Sequence, residues 1–491
     1  MEFKLSETAK CIYTTINSES AVCTIKNASA EDYASVTHVL IQNGYELKEE
    51  NSKAFHKFGA YLKAKTGVFV NYFVNINEIT VCTERETNYF SYCDEMERPL
   101  LSSQITQVHL KDFGMSYVIR LCDGRFIIID GGWDYSEDAE RLYEALRSGF
   151  GSGEIVIAAW IFSHMDCDHY RCINAFTELH RRDVTVQKFM FNFPARSKEN
   201  FAAEEPHILK AIENMKLYGA EIYRPHTGQR YRIGNALFEC LSCPDDTYYF
   251  TEDDNAASLV FRMELEGQVV LWTGDAVFSD SALLHKYGNY LKADILQVPH
   301  HGFFSGDQEE QKKCYDLIAP EVCFLPLSDY DAYVLIATYI GVSEYLMTEL
   351  AIKQLITGDE TVTITLPYHA PEGAGKAYRD KFEKGRSAAG KTVWIYSGLC
   401  ALNEDDYVFD VLNTAWAGIT VSVDVFFEDA NDVIVRKSFS VPQFSIRRIN
   451  ILDIIKENRS PPALSSSMAI RFLSKTGIVI THKKHIVSYS R

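Results

Sequence analysis

Apolar residues along this chain recur in short blocks whose spacing changes twice. From Ala30 to Gly44 the spacing is helical, and around Val68 to Val74 and Glu78 to Cys82 it is strand-like, which predicts a small α+β unit over residues 1–104. From residue 105 to 368 short β-rich blocks alternate with helical ones. Tyr117 to Leu121 and Phe126 to Asp130 flank an Asp123-Gly124 pair suited to a hairpin turn. A continuous apolar run from Ile155 to Phe162 predicts a buried strand, and Tyr170 to Arg181 has helical spacing. Further strands are expected over Thr185 to Phe191, Ser258 to Leu265, Val269 to Trp272 and Asp294 to Val298. Residues 369–392 are rich in Gly, Ala and charge and read as a linker. From 393 to 491 strict alternation, as in Thr420-Val421-Ser422-Val423-Asp424-Val425, predicts a β-sandwich.

Length supports this division, because 491 residues exceed what one hydrophobic core serves. The N-terminal twenty residues hold neither a basic leader nor an apolar stretch of signal length, and the longest apolar run, Val334 to Val342, is half a membrane span. A cytoplasmic chain outside the membrane is therefore expected. Twelve cysteines without dense spacing read as reduced thiols, and the Cys240/Cys243 pair lacks the second pair a structural zinc would need. The formal charge of −18 disfavours non-specific attraction to nucleic-acid phosphates. Only Lys376 to Lys391 runs the other way, with six Lys/Arg against two acidic residues.

Candidate chemistry concentrates where apolar strands end. The run His164-Met165-Asp166-Cys167-Asp168-His169 puts four possible metal ligands in six residues directly after a buried strand. Crowded carboxylates repel one another unless a cation compensates them, and mixed imidazole and carboxylate donors suit a borderline or hard divalent ion. A solvated acidic loop holding two histidines is the bland alternative. Two further clusters weigh against it. Thr273-Gly274-Asp275 follows the strand Val269 to Trp272, and Pro299-His300-His301-Gly302 follows Asp294 to Val298.

In order along the chain, Asp130-Gly131-Gly132, Ser163 to His169, Asn255 and Ser258, Thr273-Gly274-Asp275-Ala276 and Val298 to Gly302 resemble the motifs of the metallo-β-lactamase superfamily. The similarity is greatest to its branch in bacterial DNA-uptake competence proteins. The resemblance covers residues 105–368 and implies an αββα four-layer sandwich, here between a small N-terminal α+β domain and a C-terminal β-sandwich. It further implies two divalent metal ions, zinc or manganese. His164 and Asp166 correspond to ligands of the first metal, and Asp168 and His169 to ligands of the second. Asp275 resembles the bridging carboxylate, one of His300 and His301 the last ligand, with His301 favoured and the other left facing substrate, and Asp130 the buried aspartate that orders the loops. Asp166 stands where most members carry histidine, which favours harder metals and keeps manganese in view. No third histidine for the first metal is evident. Asn192, at the end of a strand, is the best-placed substitute, with His226 the other candidate.

The implied activity is hydrolysis by hydroxide activated at a binuclear metal site, with Asp168 orienting the nucleophile and His300 steadying developing charge. A phosphoester or phosphodiester suits two cations, so a small phosphoester or a nucleic acid is the expected substrate. The alternative is a non-catalytic scaffold of the same fold. The C-terminal stretch, from Leu412-Asn413-Thr414 through Phe426 to Asp429 to the strand Ile478 to His482, resembles more weakly the β domain of sensory-rhodopsin transducers. That implies a binding or oligomerisation module, through which a second copy or a protein partner would dock. His482 and His485 read as surface residues.

Overall fold

The computed structural model describes residues 3–15, 20–85, 87–88, 93–94, 101–149, 153–193, 204–244, 254–278, 282–303, 307–329 and 342–376. Beyond these it describes 392–400, 407–413, 419–427, 435–458, 467–474, 478–482 and 485–489. The basic stretch Lys376 to Lys391 falls outside the described residues apart from its first, as does nearly all of the apolar run Val334 to Val342. The chain divides into two compact units, Met1–Ala332 with Ile340–Gly375, and Tyr333–Tyr339 with Lys376–Arg491.

Two eight-stranded mixed sheets organise the first unit. In one, Phe126–Asp130, Ile155–Ile161, Lys188–Met190 and Glu221–Tyr223 run parallel, while Ser116–Arg120, Gln104–Gln107 and Val362–Thr365 complete the other side antiparallel. The second repeats the scheme: Gln268–Trp272, Ile295–Gln297, Val322–Phe324 and Gln354–Ile356 are parallel, and Val260–Leu265, Ala236–Ser242 and Arg230–Ile233 antiparallel. Parallel strands are buried on both faces, which is why their sequences are continuously apolar rather than alternating. Ile127, Ile129 and Ile161 point into a core shared with Phe238, Phe261, Val270 and Trp272 of the other sheet. Their neighbours Phe126, Ile128 and Trp160 face Leu142 and Leu146 of the helix Ser136–Ser148 and Phe176 of Cys172–His180. Period-two alternation thus splits each strand between a sheet–sheet core and a helix–sheet core. These mixed sheets fit the α/β, metallo-β-lactamase-like arrangement that the motifs imply.

The region expected as one strand from Thr185 to Phe191 is two, Val184–Val186 and Lys188–Met190, both paired with Ile155–Ile161. Between them Gln187 donates its backbone N–H to Ile157.

Near the N-terminus, six antiparallel strands pack one face on the helix Ala30–Gln42, started by a Ser29/Asp32 capping box. This part of the chain also contacts the second mixed sheet, where Lys53 Nζ donates to Glu239 at 2.6 Å, and the helix Leu283–Tyr287, where Phe55 and His56 meet the ring of Tyr287.

The second unit holds two four-stranded sheets, Thr392–Cys400, Ser467–Ser474, Ile419–Phe427 and Val435–Val441 in one, Ile446–Asn450, Val408–Asn413, Ile478–His482 and His485–Tyr489 in the other. Phe409, Val411, Val421, Val423 and Ile480 share its core. His482 departs from expectation. It is buried, at 7% exposure, and stacks on Phe409 with ring centroids 4.6 Å apart. Alternation from Ile480 carries it to the inner face. The side chain of His485 lies outside the described residues.

Candidate metal centre

Every cluster singled out for chemistry follows the carboxyl end of a parallel strand. Asp130 ends Phe126–Asp130, Ser163 and His164 follow Ile155–Ile161, Asp275 follows Gln268–Trp272, and His301 follows Ile295–Gln297. In open α/β sheets this rim is where ligands bind, because rigid strands deliver loops side by side.

Asp130 organises the first rim. It is fully buried, with φ at 57°, a left-handed conformation uncommon outside glycine. Its Oδ1 accepts the Ser163 backbone N–H at 2.7 Å, and its Oδ2 accepts the Ser163 hydroxyl at 2.8 Å and His169 Nδ1 at 2.9 Å. The Ser163 proton is thereby committed, so Ser163 Oγ accepts from His164 Nδ1 at 3.0 Å. In its neutral form each imidazole therefore carries its proton on Nδ1, which leaves the Nε2 lone pair for a metal. Neither Nε2 has a hydrogen-bond partner, although both are buried.

Gln297 organises the second rim. Its buried Oε1 accepts the backbone N–H groups of Thr273 and Gly274, both at 2.8 Å. Its Nε2 donates to the Val298 carbonyl at 2.7 Å and to that of Gly274 at 3.1 Å. One amide thus clamps the loop carrying Asp275 to the loop carrying His301. Gly274 has φ of +52°, and a Cβ there would lie 2.8 Å from that of Ser163, so only glycine lets the two rims meet. Ser258 Oγ accepts the Asp275 N–H at 3.0 Å. His300 and His301 both take positive φ, 49° and 50°.

The donors converge on one small volume. His164, His169 and Asp275 form one set and Asp168, His169 and His301 another, with the offered atoms of each set all within 4.8 Å of one another. Asp275 Oδ1 lies 3.4 Å from His169 Nε2, while its Oδ2 lies 3.4 Å from His301 Nε2 and 4.0 Å from His164 Nε2. Asp168 Oδ2 is 2.9 Å from His301 Nε2, which nonetheless has no hydrogen bond of acceptable geometry. The more exposed Asp166 approaches His164 Nε2 at 3.5 Å.

The electrostatics match the geometry. Burial alone would hold these imidazoles neutral, yet Asp275 and Asp168 reverse it, pushing His169 well above the ordinary histidine range and His301 up to about 9. Burial opposes charge on Asp275 too, but His169 and His301 hold it well below the usual carboxylate range. Without a cation, protons must balance the carboxylates. Orphaned buried Nε2 atoms and a buried carboxylate oxygen aimed at one point are what a divalent ion would satisfy, so these residues fit the group that the motifs imply.

His300 belongs to neither set. Its ring centroid is 6.4 Å from that of His301, and burial, opposed by Asp275, takes its pKa below the ordinary value. Asn192 is buried with Nδ2 donating to the Pro225 carbonyl at 2.9 Å. His226 is drawn into the N-terminal sheet, stacked on Phe69 at 3.7 Å and 3.1 Å from Glu84. Cys240 and Cys243 are buried, form no disulfide and belong to no metal-ligand set among the described residues. Sequence reasoning missed Gln297, since a glutamine three residues before a histidine carries no signature.

No protein-family profile matches the sequence, and no curated protein matches it. Among solved structures, a metallo hydrolase from the archaeon Ignicoccus hospitalis aligns over 54% of this chain and 99% of its own, at 13% identity and a TM-score of 0.31. The diiron β-hydroxylase CmlA of Streptomyces venezuelae aligns over 54% of each chain, at 10% identity and a TM-score of 0.35. The Anabaena sensory rhodopsin transducer covers 19% of this chain and 83% of its own, at 20% identity and a TM-score of 0.16.

Proposed function

We propose that the chain is a metal-dependent hydrolase acting on a phosphoester or phosphodiester, with two divalent ions, zinc or manganese, at this centre. The observation that carries the reading is the set of buried, unpartnered donors His164 Nε2, His169 Nε2, His301 Nε2 and Asp275 Oδ1 aimed at one volume. Such ions lower the pKa of water to about 7, so they supply hydroxide at neutral pH, and they clamp anionic oxygens.

The protein's own residues divide the remaining work. His164 and Asp166 would hold the first ion, with Asn192 the candidate to complete it, and Asp168, His169 and His301 the second. Asp275, with one oxygen toward His169 and the other toward His301, would serve both. Asp168 accepts and orients the proton of the attacking water. His300, fixed by its backbone N–H to the Gly274 carbonyl at 3.2 Å, is assigned to the negative charge that develops on the substrate.

Hydrolysis of bis(p-nitrophenyl) phosphate by the full chain, with zinc or manganese supplied, tests the reading. Activity is expected to fall at least ~100-fold in Asp168→Ala, as for removal of an acid–base group. Activity unaltered by Asp168→Ala would take this centre out of the reaction, and no hydrolysis with either metal would leave the fold as a scaffold.

A further inference from the structure

Beside the centre stands a wall of aromatic side chains that the proposed hydrolysis does not use. Phe113 is 47% exposed, yet its ring meets the ring of His301 edge-on at 5.6 Å. Trp133 packs against Phe113 at 5.8 Å, nearly perpendicular, and Tyr135 stacks on Trp133 at 5.9 Å with 22° between the planes. Neither Trp133 nor Tyr135 is buried. Three aromatics in succession, left partly open and reaching outward from a metal-site histidine, serve no core.

The wall is built onto the centre's own backbone. The Trp133 indole N–H donates to the Phe113 carbonyl at 2.6 Å, joining the two loops. Met115 N–H donates to the Asp168 carbonyl at 3.1 Å, and Gly132 N–H to that of His169 at 3.3 Å, so residues beside Phe113 and Trp133 are anchored to the loop that carries Asp168 and His169. At Gly132, with φ of +91°, a Cβ would lie 2.8 Å from a methyl of Leu110, so the loops pack too closely for any side chain. A surface held this firmly loses little entropy when something settles on it.

We propose that this wall is a stacking subsite for a planar base, which makes the substrate a nucleotide or short oligonucleotide ester rather than a sugar or alkyl phosphate. The inference rests on the hydrolase reading and deepens it. Aromatic faces attract other π systems, and base stacking is sequence-tolerant because every base has such a face. An aliphatic wall would serve an acyl chain equally well. The formal charge of −18 argues for a short ligand over a long polyanion, whose binding is governed by charge.

Calorimetric binding of AMP, ribose 5-phosphate and octyl phosphate to the full chain, loaded with zinc or manganese, tests this. AMP is expected to bind roughly 5- to 150-fold more tightly than ribose 5-phosphate, the equivalent of ~1–3 kcal/mol for one stacked base. Phe113→Leu and Trp133→Leu, each checked for an unchanged circular dichroism spectrum, are expected to collapse that preference. Trp133→Phe, which keeps a ring, restores most of it. Equal affinity for AMP and ribose 5-phosphate overturns the subsite while phosphodiester hydrolysis dependent on Asp168 still stands. A preference for octyl phosphate assigns the wall to an alkyl chain and overturns the proposal, as does absence of binding by all three.

Discussion

Asp130 receives His169 Nδ1 at 2.9 Å on the same carboxylate oxygen that accepts the Ser163 hydroxyl, so one buried carboxylate sets the tautomers of both His169 and His164. The two histidines present lone pairs inward only because of a residue more than thirty positions earlier in the chain. Ligand basicity and orientation, and not only ligand identity, are therefore properties of this network.

Asp130→Asn is expected to weaken metal binding roughly 10- to 100-fold, the usual effect of removing such a supporting group. Ser163→Ala, which leaves the bond from His169 Nδ1 to Asp130 in place, should have the smaller effect. Competition with a chromophoric chelator measures both, and unaltered affinity in Asp130→Asn would show that the tautomers are set by something else.

Gln297→Leu removes the acceptor shared by the Thr273 and Gly274 amides. Each buried N–H left unpaired costs about 1–3 kcal/mol, so both the thermal midpoint and the metal affinity should fall. A variant with lowered stability and full metal affinity would confine Gln297 to the fold. Loss of neither would contradict its role as clamp.

Acid should weaken the N-terminal sheet through His56. This ring is buried against Phe73 and bonded to Asn71 at 2.9 Å, and burial brings its pKa down to about 4. Its folded pKa is depressed below the unfolded value near 6.5. Its contribution is therefore present above pH 6.5 and is lost as pH falls toward 4, about 2 kcal/mol of it by pH 5. Urea unfolding of the chelated protein at pH 7 and pH 5 should show a smaller pH dependence in His56→Gln than in the parent chain. Equal dependence would mean another group titrates.

The metal-free centre should respond to pH in the opposite sense. His301 is raised to about 9, so its ion pairing with Asp275 and Asp168 is fully stabilising below pH 6.5 and is lost as pH rises through about 9. A metal-loaded imidazole does not take up that proton. The gap in melting temperature between metal-loaded and chelated protein should widen from pH 6.5 to 9. A gap independent of pH would indicate that His301 is not protonated in the metal-free state.

Much of this centre was legible because buried strands and chemistry adjoin in sequence: Ile155 to Ile161 runs straight into His164, and Gln268 to Trp272 into Asp275. Which of His300 and His301 turns inward was not, since both take left-handed backbone and only the distances to Asp168 and Asp275 separate them. His226 is withdrawn by Glu84 and Phe69 from a different sheet, a pairing across more than 140 positions that no local pattern announces. His482 is different. Its strand was expected from the resemblance alone, and the two-residue period from Ile480 puts it on the inner face that its polarity argued against.

Metal content tests the central claim most directly. Full chain purified without chelator and analysed by plasma mass spectrometry is expected to retain about two divalent ions per chain, zinc or manganese, as binuclear hydrolysis requires. Asp275→Ala should lose most of both, because both donor sets face that carboxylate. A parent chain that retains no metal, and takes none up on dialysis against zinc or manganese, would contradict the account.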